Sequence, residues 1–268
     1  MEWTLESRQR MRRLFLEGFS VMDVAEPLVS VDAERPAQEV SQLLEARDFD
    51  LVGVREDGLV TGYAPRESLT TGRCGQHRRP FEADDLVVET ASLRDAIQSL
   101  GANRRCFVTV LGQPAAIVTV SDLEKPPVRM FLFGLITLLE GFMTRELQRR
   151  FPGDAWQALV PASRLAKAEE LLAERRRRGQ PGLLLDCLQF SDKGEIMLGI
   201  EALGGPLAFQ QPSRKAAKRA LKELETLRNN LAHTQQIIPG GLERIVAFSA
   251  RLESLLDAGP SAPAPATG

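Results

Sequence analysis

Cysteine and histidine are scarce in this chain of 268 residues, and their scarcity limits its chemistry. The three cysteines, Cys74, Cys106 and Cys187, are too few and too scattered for a disulfide framework, and they suit a reducing compartment. The two histidines are His77 and His233. Because these five residues fall in three separate regions, a structural zinc site is not expected.

Signal sequences and long apolar runs are also missing. Residues 1–5 contain no basic segment followed by an apolar one, so no signal peptide is expected. The most apolar stretch, residues 130–139, is shorter than the roughly 20 residues that span a bilayer, and Glu140 and Arg145 follow it. We interpret it as part of a buried core helix, and we expect a cytoplasmic protein without a membrane partner.

The chain has little net charge. A formal charge of −2 provides no overall positive field, so any contact with nucleic acid must come from a local basic patch. Two clusters qualify, at residues 175–178 and 214–219. Basic helix ends are also common for another reason, since cations favour the C-terminal end of the helix dipole. No aromatic side chains accompany the clusters, so sequence-specific reading of RNA is not indicated.

A repeated pattern occupies residues 21–126, with one copy at about 21–70 and the other at about 81–126. Each copy begins with a short apolar strand, continues into an amphipathic helix and ends in two strands around a turn. The strands are expected at residues 28–31, 51–54 and 59–63, and at residues 86–88, 107–110 and 115–119. The linker at residues 71–80 is expected to be a solvated loop.

Lys125-Pro126-Pro127 ends the α/β half, because two prolines fit neither a helix interior nor a central strand. The pattern after these residues is helical. Helices are predicted at about 128–150, 155–178, 183–203, 213–236 and 242–257, with a further one within 1–20. Residues 258–268 are rich in proline and alanine and are expected to be a disordered tail. The predicted fold class is α+β with two domains, an α/β pair at 21–126 and an all-α bundle at 128–257.

Three polar residues, Thr119, Ser121 and Asp122, stand where a buried strand runs into a helix start. An Asp at such a place can accept hydrogen bonds from ribose hydroxyls, while Thr and free N–H groups can meet a phosphate. The alternative is a plain helix cap, with Thr119 or Ser121 as the capping residue. The pattern alone favours the cap.

The duplicated unit, ending in small-apolar-apolar-Thr-x-x-Asp, resembles a tandem pair of CBS domains over residues 21–126. The resemblance implies that the two units pack as one disc and bind an adenosine-containing regulator, such as AMP or ATP, in clefts between them. Thr119, Ser121 and Asp122 are then the nucleotide-binding candidates. In the first unit Ala64 and Glu67 are expected at the places of Thr and Asp, so we expect at most one good site.

The predicted helix at residues 213–236 carries a leucine stripe, Leu221, Leu224, Leu227 and Leu231. On another face, Asn229 and His233 are one turn apart, and Arg228 lies nearer the edge of the stripe. Imidazole can move a proton near neutral pH, and guanidinium can hold phosphate by two parallel hydrogen bonds. The alternative is ordinary helix chemistry, with His233 as a C-terminal cap and Arg228 in an ion pair.

The segment Leu-Arg-Asn-x-x-Ala-His near the end of a penultimate helix resembles the signature of the HEPN family, over residues 128–257. The resemblance implies a homodimer whose motifs face each other, and a metal-independent endoribonuclease. His233 would then assist attack of the RNA 2′-hydroxyl on the adjacent phosphate, Arg228 would stabilise the transition state, and Asn229 would position His233 or the phosphate.

Three functions follow from these patterns. The first is an adenine-nucleotide-regulated, metal-independent endoribonuclease that acts as a dimer. The second is a non-enzymatic signalling or assembly protein that senses a nucleotide and binds a protein partner through its helical domain. The third is a purely structural protein in which both halves serve dimerisation.

Overall fold

The computed structural model describes residues 10, 13–14, 17–180, 182–200, 213–238 and 241–257, and side chains as far as residue 250. The chain divides into two compact units, one of them Leu16–Val128 and the other the described residues from Arg129 onward. The first unit holds all the described strands, and the second is helical. The expected α+β class is therefore confirmed, with the sheets in the N-terminal half.

The two copies of the N-terminal unit follow the same path. The first contains β2 (Ser30–Asp32), α1 (Ala37–Ala46), β3 (Leu51–Glu56) and β4 (Leu59–Pro65). The second contains β5 (Leu86–Val88), α2 (Leu93–Asn103), β6 (Arg105–Val110) and β7 (Gln113–Thr119). In each copy the strand before the helix and the strand after it pair in parallel, and the last two strands form an antiparallel hairpin.

Each sheet is extended at one edge by a segment from elsewhere in the chain. The segment before the first copy extends the sheet of the second, and the linker before the second copy extends the sheet of the first. A short strand, β1 (Glu26–Pro27), was not predicted because it is only two residues long and contains a proline; it pairs with β7, giving the order β1-β7-β6-β5. In the other sheet, β2-β3-β4, Arg79 of the linker bridges Tyr63 on β4. The linker is therefore not a solvated loop throughout, and its Cys74 is fully buried.

The core of the first copy forms where α1 covers its sheet. Ala37, Val40 and Leu44 recur at helical spacing on α1 and are completely buried. Val52 and Val54 face them from β3. Burial of each large apolar side chain of this kind stabilises the fold by about 1.5–3 kcal/mol. The amphipathic pattern seen in the sequence is thus the pattern that the fold uses.

The helical unit is built around α3 (Pro126–Arg150), followed by α4 (Ala162–Arg177), α5 (Phe190–Gly199), α6 (Arg214–Ala232) and α7 (Leu242–Asp257). With 25 residues, α3 is the one described helix that is, by length and composition alone, long and apolar enough to cross a membrane, and the ten-residue apolar run noted in the sequence is one part of it. Half of its most apolar window is buried inside the protein, as in a core helix. Among its polar residues, Glu140 accepts a hydrogen bond from the buried Lys193 on α5.

Three predicted helices are shorter in the structure. Residues 152–159 form a 3-10 segment with left-handed Gly153 and Asp154, and Pro161 holds the residue before it out of the helical region until α4 begins. A 3-10 turn, Leu184–Cys187, precedes α5. The last turn of α6 ends at Ala232, and Thr234 is left-handed. Most of the predicted helix within 1–20, residues 201–203 and the tail 258–268 lie outside the described residues.

Gly62 on β4 provides a test of the linker packing. A Cβ atom there would lie 2.3 Å from the backbone carbonyl of Arg79, so Gly62→Ala must push the linker off the strand. We expect the variant to be destabilised by about 1–3 kcal/mol in urea unfolding. The matched control is Gly141→Ala inside α3, where open space surrounds the new methyl group and a gain of about 0.5–1 kcal/mol is expected. Equal stability of Gly62→Ala and the wild type would contradict the packing of the linker on β4.

Candidate functional site

The turn after β7 is closed by the carboxylate of Asp122. Its Oδ2 atom accepts hydrogen bonds from the backbone N–H of Thr119 at 2.6 Å and from the Thr119 hydroxyl at 2.9 Å. The Thr119 hydroxyl also lies 2.8 Å from that of Ser121, which is exposed. A 3-10 segment, Val120–Glu124, begins at this turn, and only 6% of Asp122 is exposed. The structure therefore brings all three predicted nucleotide-binding residues together in one turn.

Lys125 occupies the other oxygen of Asp122. Its ammonium group lies 2.7 Å from Asp122 Oδ1, 2.8 Å from Glu26 Oε1 and 2.7 Å from the carbonyl oxygen of Val24. Partial burial works against the charge of Lys125, but the bonds to the two carboxylates outweigh it and raise the pKa of Lys125. All three ammonium protons are thus engaged, and they tie the start of β1 to the turn after β7.

These contacts limit what Asp122 can offer to a ligand. A carboxylate has about four lone-pair sites, and three of those of Asp122 are already taken by Thr119 and Lys125. One site on Oδ1 and the exposed hydroxyl of Ser121 remain. Thr119 is the N-cap residue of the 3-10 segment, as the cap interpretation expected, and a ribose would have to share Asp122 with Lys125 or displace it.

An arginine and an aromatic cluster lie beside this turn. Arg105 is the partner of Thr119 in the β6–β7 ladder, so both side chains are on the same face of the sheet. The Arg105 guanidinium donates a hydrogen bond to the Tyr63 hydroxyl at 3.1 Å and lies 5.0 Å from the centre of its ring. The rings of Phe107 and Phe81 pack against Tyr63 and against each other. Cation, hydroxyl and aromatic groups therefore meet at one end of the second sheet.

The equivalent turn of the first copy is chemically different. Leu51 pairs with Pro65 as Arg105 pairs with Thr119, so Pro65, and not Ala64, occupies the place of Thr119. The residue at the place of Asp122 is then Ser68, and not Glu67. This corrects the predicted alignment by one position. Pro65 has no N–H to donate, and the Ser68 hydroxyl is bound to the Pro65 carbonyl at 2.7 Å.

In the helical unit, Arg228, Asn229 and His233 all lie at the C-terminal end of α6 and are exposed. The Arg228 guanidinium donates a hydrogen bond to the Asn229 amide oxygen at 3.2 Å. His233 follows the last helical residue, and its backbone N–H donates to the Asn229 carbonyl. The predicted leucine stripe packs on the opposite side, with Leu221, Leu224 and Leu227 buried and Leu231 half-buried.

A neighbouring helix holds this end of α6 in place. Arg129 of α3 donates hydrogen bonds to the carbonyl oxygens of Asn230 and Gln235, each at 2.9 Å. The Asn230 carbonyl, at the C-terminal end of α6, also accepts a hydrogen bond from the backbone N–H of Gln235. A cation at this end of the helix is favoured by the helix dipole as well. The side chain of Asn230 adds a bond to the Gln236 carbonyl. The turn that carries His233 is therefore fixed from its buried side.

The three cysteines are buried, and two of them have raised pKa values. Burial raises the pKa of the Cys106 thiol to about 11 and also raises that of Cys74, so neither is a thiolate near neutral pH. No group of three or more His, Cys, Asp or Glu side chains there is arranged to hold a metal ion. A cavity of about 330 Å³ lies between α6 and α7, lined mainly by apolar side chains, and Asn230 borders it.

Several of these residues were not identified from the sequence. Lys125 was interpreted only as part of a proline-rich boundary, and Arg105 was not singled out. Tyr63 offered a signal, since it is the only tyrosine in the chain. Arg129 is separated from its partners by about 100 residues, so no local pattern could have connected them.

No protein-family model matches the chain, and no curated protein matches it. Solved structures that resemble its N-terminal portion include CBS domain pairs. CBSX2 from Arabidopsis thaliana is 18% identical, over 42% of this chain and 96% of that one, with a TM-score of 0.37. CBSX2 in complex with AMP gives a TM-score of 0.38 at the same identity, over 42% of this chain and 98% of that one.

The CBS domain of the bacterial CNNM/CorC family Mg²⁺ transporter in complex with ATP is 16% identical, over 46% of this chain and 95% of that one, with a TM-score of 0.36. These likenesses concern the N-terminal portion and identify no binding residue. The duplication of the unit is established by its own strand ladders. The HEPN resemblance of the helical unit stays a prediction.

Replacing Lys125 tests its role at the turn. Lys125→Met leaves a buried oxygen of Asp122 without its partner, and we expect a loss of about 1–3 kcal/mol at neutral pH. Because the pKa of Lys125 is raised, its contribution is complete below pH 10.5 and is lost only as the pH rises through the higher folded-state value. Calorimetry of both proteins between pH 7 and 11 measures this difference.

The control is Lys167→Met on the exposed surface of α4, which should change stability by less than about 0.5 kcal/mol. A Lys125→Met variant as stable as this control would show that the ammonium group does not hold the turn.

Proposed function

We propose that the N-terminal unit is a sensor that binds an adenine nucleotide at the end of β7, in its second copy only. The observation that carries the proposal is the meeting of Thr119, Ser121 and Asp122 with Arg105 beside an aromatic cluster. Hydroxyl and carboxylate groups suit a ribose, a guanidinium suits a phosphate, and an aromatic surface suits a purine ring.

Binding at this turn requires a rearrangement of its hydrogen bonds. The Arg105 guanidinium is held by Tyr63, and Asp122 by Lys125. A nucleotide that takes a bond from either pair alters the contacts of Lys125 with Glu26 and Val24 as well. The ligand thereby loosens or resets the connection between β1 and the turn after β7, which gives the unit a way to signal occupancy.

The first copy serves as an internal control for this site. Its turn lacks both the N–H at position 65 and the carboxylate at position 68. The same chain path therefore presents no equivalent acceptor for a ribose. A single nucleotide per chain is the expected stoichiometry.

Thermal shift measurements with AMP and ATP, the ligands present in two of the similar solved structures, test the sensor. A ligand at 100 times its Kd stabilises a protein by about 2.7 kcal/mol, so the wild type should melt at a clearly higher temperature. Asp122→Asn should abolish the shift, whereas Ser68→Ala, at the matching position of the first copy, should leave it unchanged. A shift that survives in Asp122→Asn would place the nucleotide elsewhere.

A second function, metal-independent cleavage of RNA, is proposed for the helical unit. What favours it is the exposure of Arg228, Asn229 and His233 at one end of α6, on a turn anchored by Arg129. An imidazole and a guanidinium in contact with solvent are available to a phosphodiester, and the Arg228–Asn229 hydrogen bond keeps the amide next to the cation. None of the three side chains belongs to the buried core.

The proposed reaction is an internal transfer at phosphorus. His233 accepts the proton of an RNA 2′-hydroxyl as its oxygen forms a bond to the adjacent phosphorus. The bond from phosphorus to the 5′-oxygen breaks, and that oxygen leaves with a proton supplied by water. Arg228 stabilises the negative charge on the phosphoryl oxygens. The products are a 2′,3′-cyclic phosphate and a free 5′-hydroxyl.

Incubation of purified protein with total RNA in EDTA tests this reaction. The wild type should cleave without added metal, and His233→Ala should lose at least about 100-fold in rate because the proton acceptor is gone. His77→Ala is the matched control, since it removes the only other imidazole. Cleavage that persists in His233→Ala, or that requires a metal, would contradict the assignment.

Together the two proposals describe an adenine-nucleotide-regulated endoribonuclease that acts as a homodimer. The rival is a signalling or assembly protein whose helical unit binds a protein partner and cleaves nothing. A nucleotide-dependent thermal shift without any RNA cleavage would favour the rival, and the absence of both would favour a structural role.

A further inference from the structure

The solvent face of α6 is basic in the N-terminal half of the helix, from Lys215 to Lys222. We call Lys215, Lys218, Arg219 and Lys222 the basic face; all four side chains are exposed. Lys215, Arg219 and Lys222 continue through Thr226 and Asn229 to His233 at steps of four and three residues, which places them on one side of the helix. The line contains no carboxylate and leads to the imidazole.

The charges of the basic face are largely unbalanced. Among the described residues, Lys218 pairs with Glu195 at 3.4 Å, and no carboxylate lies within ion-pair distance of Lys215, Arg219 or Lys222. The two glutamates of α6 flank this line, because Glu223 is one turn beyond Arg219 and Glu225 is one turn beyond Lys222. Glu223 borders the cavity between α6 and α7, and Glu225 is held by Ser191. A solvated face without a binding role usually mixes both signs of charge.

The helix α4 provides the contrast. It also carries a basic run, but Arg177 and Arg178 both pair with Glu174, and exposed glutamates are interspersed along the helix. Its charges are therefore partly neutralised within the helix itself. Of the two basic clusters noted in the sequence, the one on α6 is the stronger attractor for a polyanion.

We propose that the basic face of α6 binds the phosphate backbone of a single strand of RNA and directs it to His233. The inference rests on the RNA-cleaving function proposed above and assigns the surface by which the substrate is held. The line from Lys215 to His233 is about 27 Å long, at 1.5 Å per residue. Its cations are about 4.5–6 Å apart along the axis, a separation comparable with that of neighbouring phosphates in an extended strand.

The composition of this face favours a nucleic acid over other polyanionic partners. A helix that binds a membrane surface places large apolar side chains beside its cations, and this line contains none. Thr226 and Asn229 add neutral donors that suit phosphate and sugar oxygens. No aromatic residue occurs on α6, so contacts to the backbone, without base stacking, are expected.

Fluorescence anisotropy with a labelled 12-nucleotide oligouridine measures the binding. All proteins carry His233→Ala, so that cleavage does not interfere. We expect the added changes Lys215→Gln, Arg219→Gln and Lys222→Gln to weaken binding by roughly 100-fold at 0.1 M salt. Three lost contacts, each with a slope of about 0.7, also lower the slope of log K against log salt by about 2.

The matched control removes three cations from α4, by Arg176→Gln, Arg177→Gln and Arg178→Gln, and should change the affinity by less than about threefold because two of these are already paired. Equal weakening in both triple variants would show a diffuse charge effect and overturn the proposal. Stronger, basic-face-dependent binding to vesicles containing phosphatidylserine or to polyglutamate than to oligouridine would also overturn it.

Cleavage is then measured with proteins that retain His233. If the triple Gln variant of α6 binds and cleaves like the wild type, the basic face is not the substrate surface, although the cleaving function stands. If the wild type binds oligouridine through the basic face but never cleaves RNA, the surface stands and the cleaving function fails.

Discussion

The buried carboxylate of Asp122 is the interaction on which the N-terminal unit depends most. One of its oxygens closes the turn after β7 through Thr119, and the other is bound to Lys125, which reaches back to Glu26 and Val24. A charge that is 94% removed from water is stable only when it is paired in this way. A ribose at the proposed site would need the same carboxylate as its acceptor, so structural support and ligand recognition would compete for one group.

The duplication of the fold does not extend to its chemistry. Both copies place a 3-10 turn after their last strand, but only the second has a carboxylate that organises it. In the first copy the Ser68 hydroxyl is bound to the carbonyl of Pro65, and the linker covers β4 next to Tyr63. The turn of one copy thus has no carboxylate at this position, while the turn of the other carries the polar groups of the proposed nucleotide site. Asymmetry of this kind follows from single residues and not from a different chain path.

Periodicity in the sequence was enough to predict both copies of the unit and the helical nature of the second half. Periodicity did not predict the elements that are stabilised by residues far away in the chain. The strand at Glu26 is stabilised only by β7, and the linker is ordered by its contact with Tyr63. The one-residue error at Ala64 arose because motif alignment cannot see strand register, which here depends on the pairing of Leu51 with Pro65. The exposed positions of Arg228, Asn229 and His233 agree with the helical geometry predicted from the sequence. The contact of Arg129 with Asn230 could not be predicted from a local pattern, because the two residues are far apart in the chain.

The proposed sensor binds one nucleotide at the turn after β7 and none at its counterpart. Titration of the ¹⁵N-labelled full chain with AMP, followed by its amide resonances, distinguishes the two turns. Saturable shifts of Arg105, Thr119, Ser121 and Asp122 are expected, with the resonances of Arg66 to Leu69 unchanged. Equal shifts at both turns, or shifts only in the first copy, would contradict the proposal.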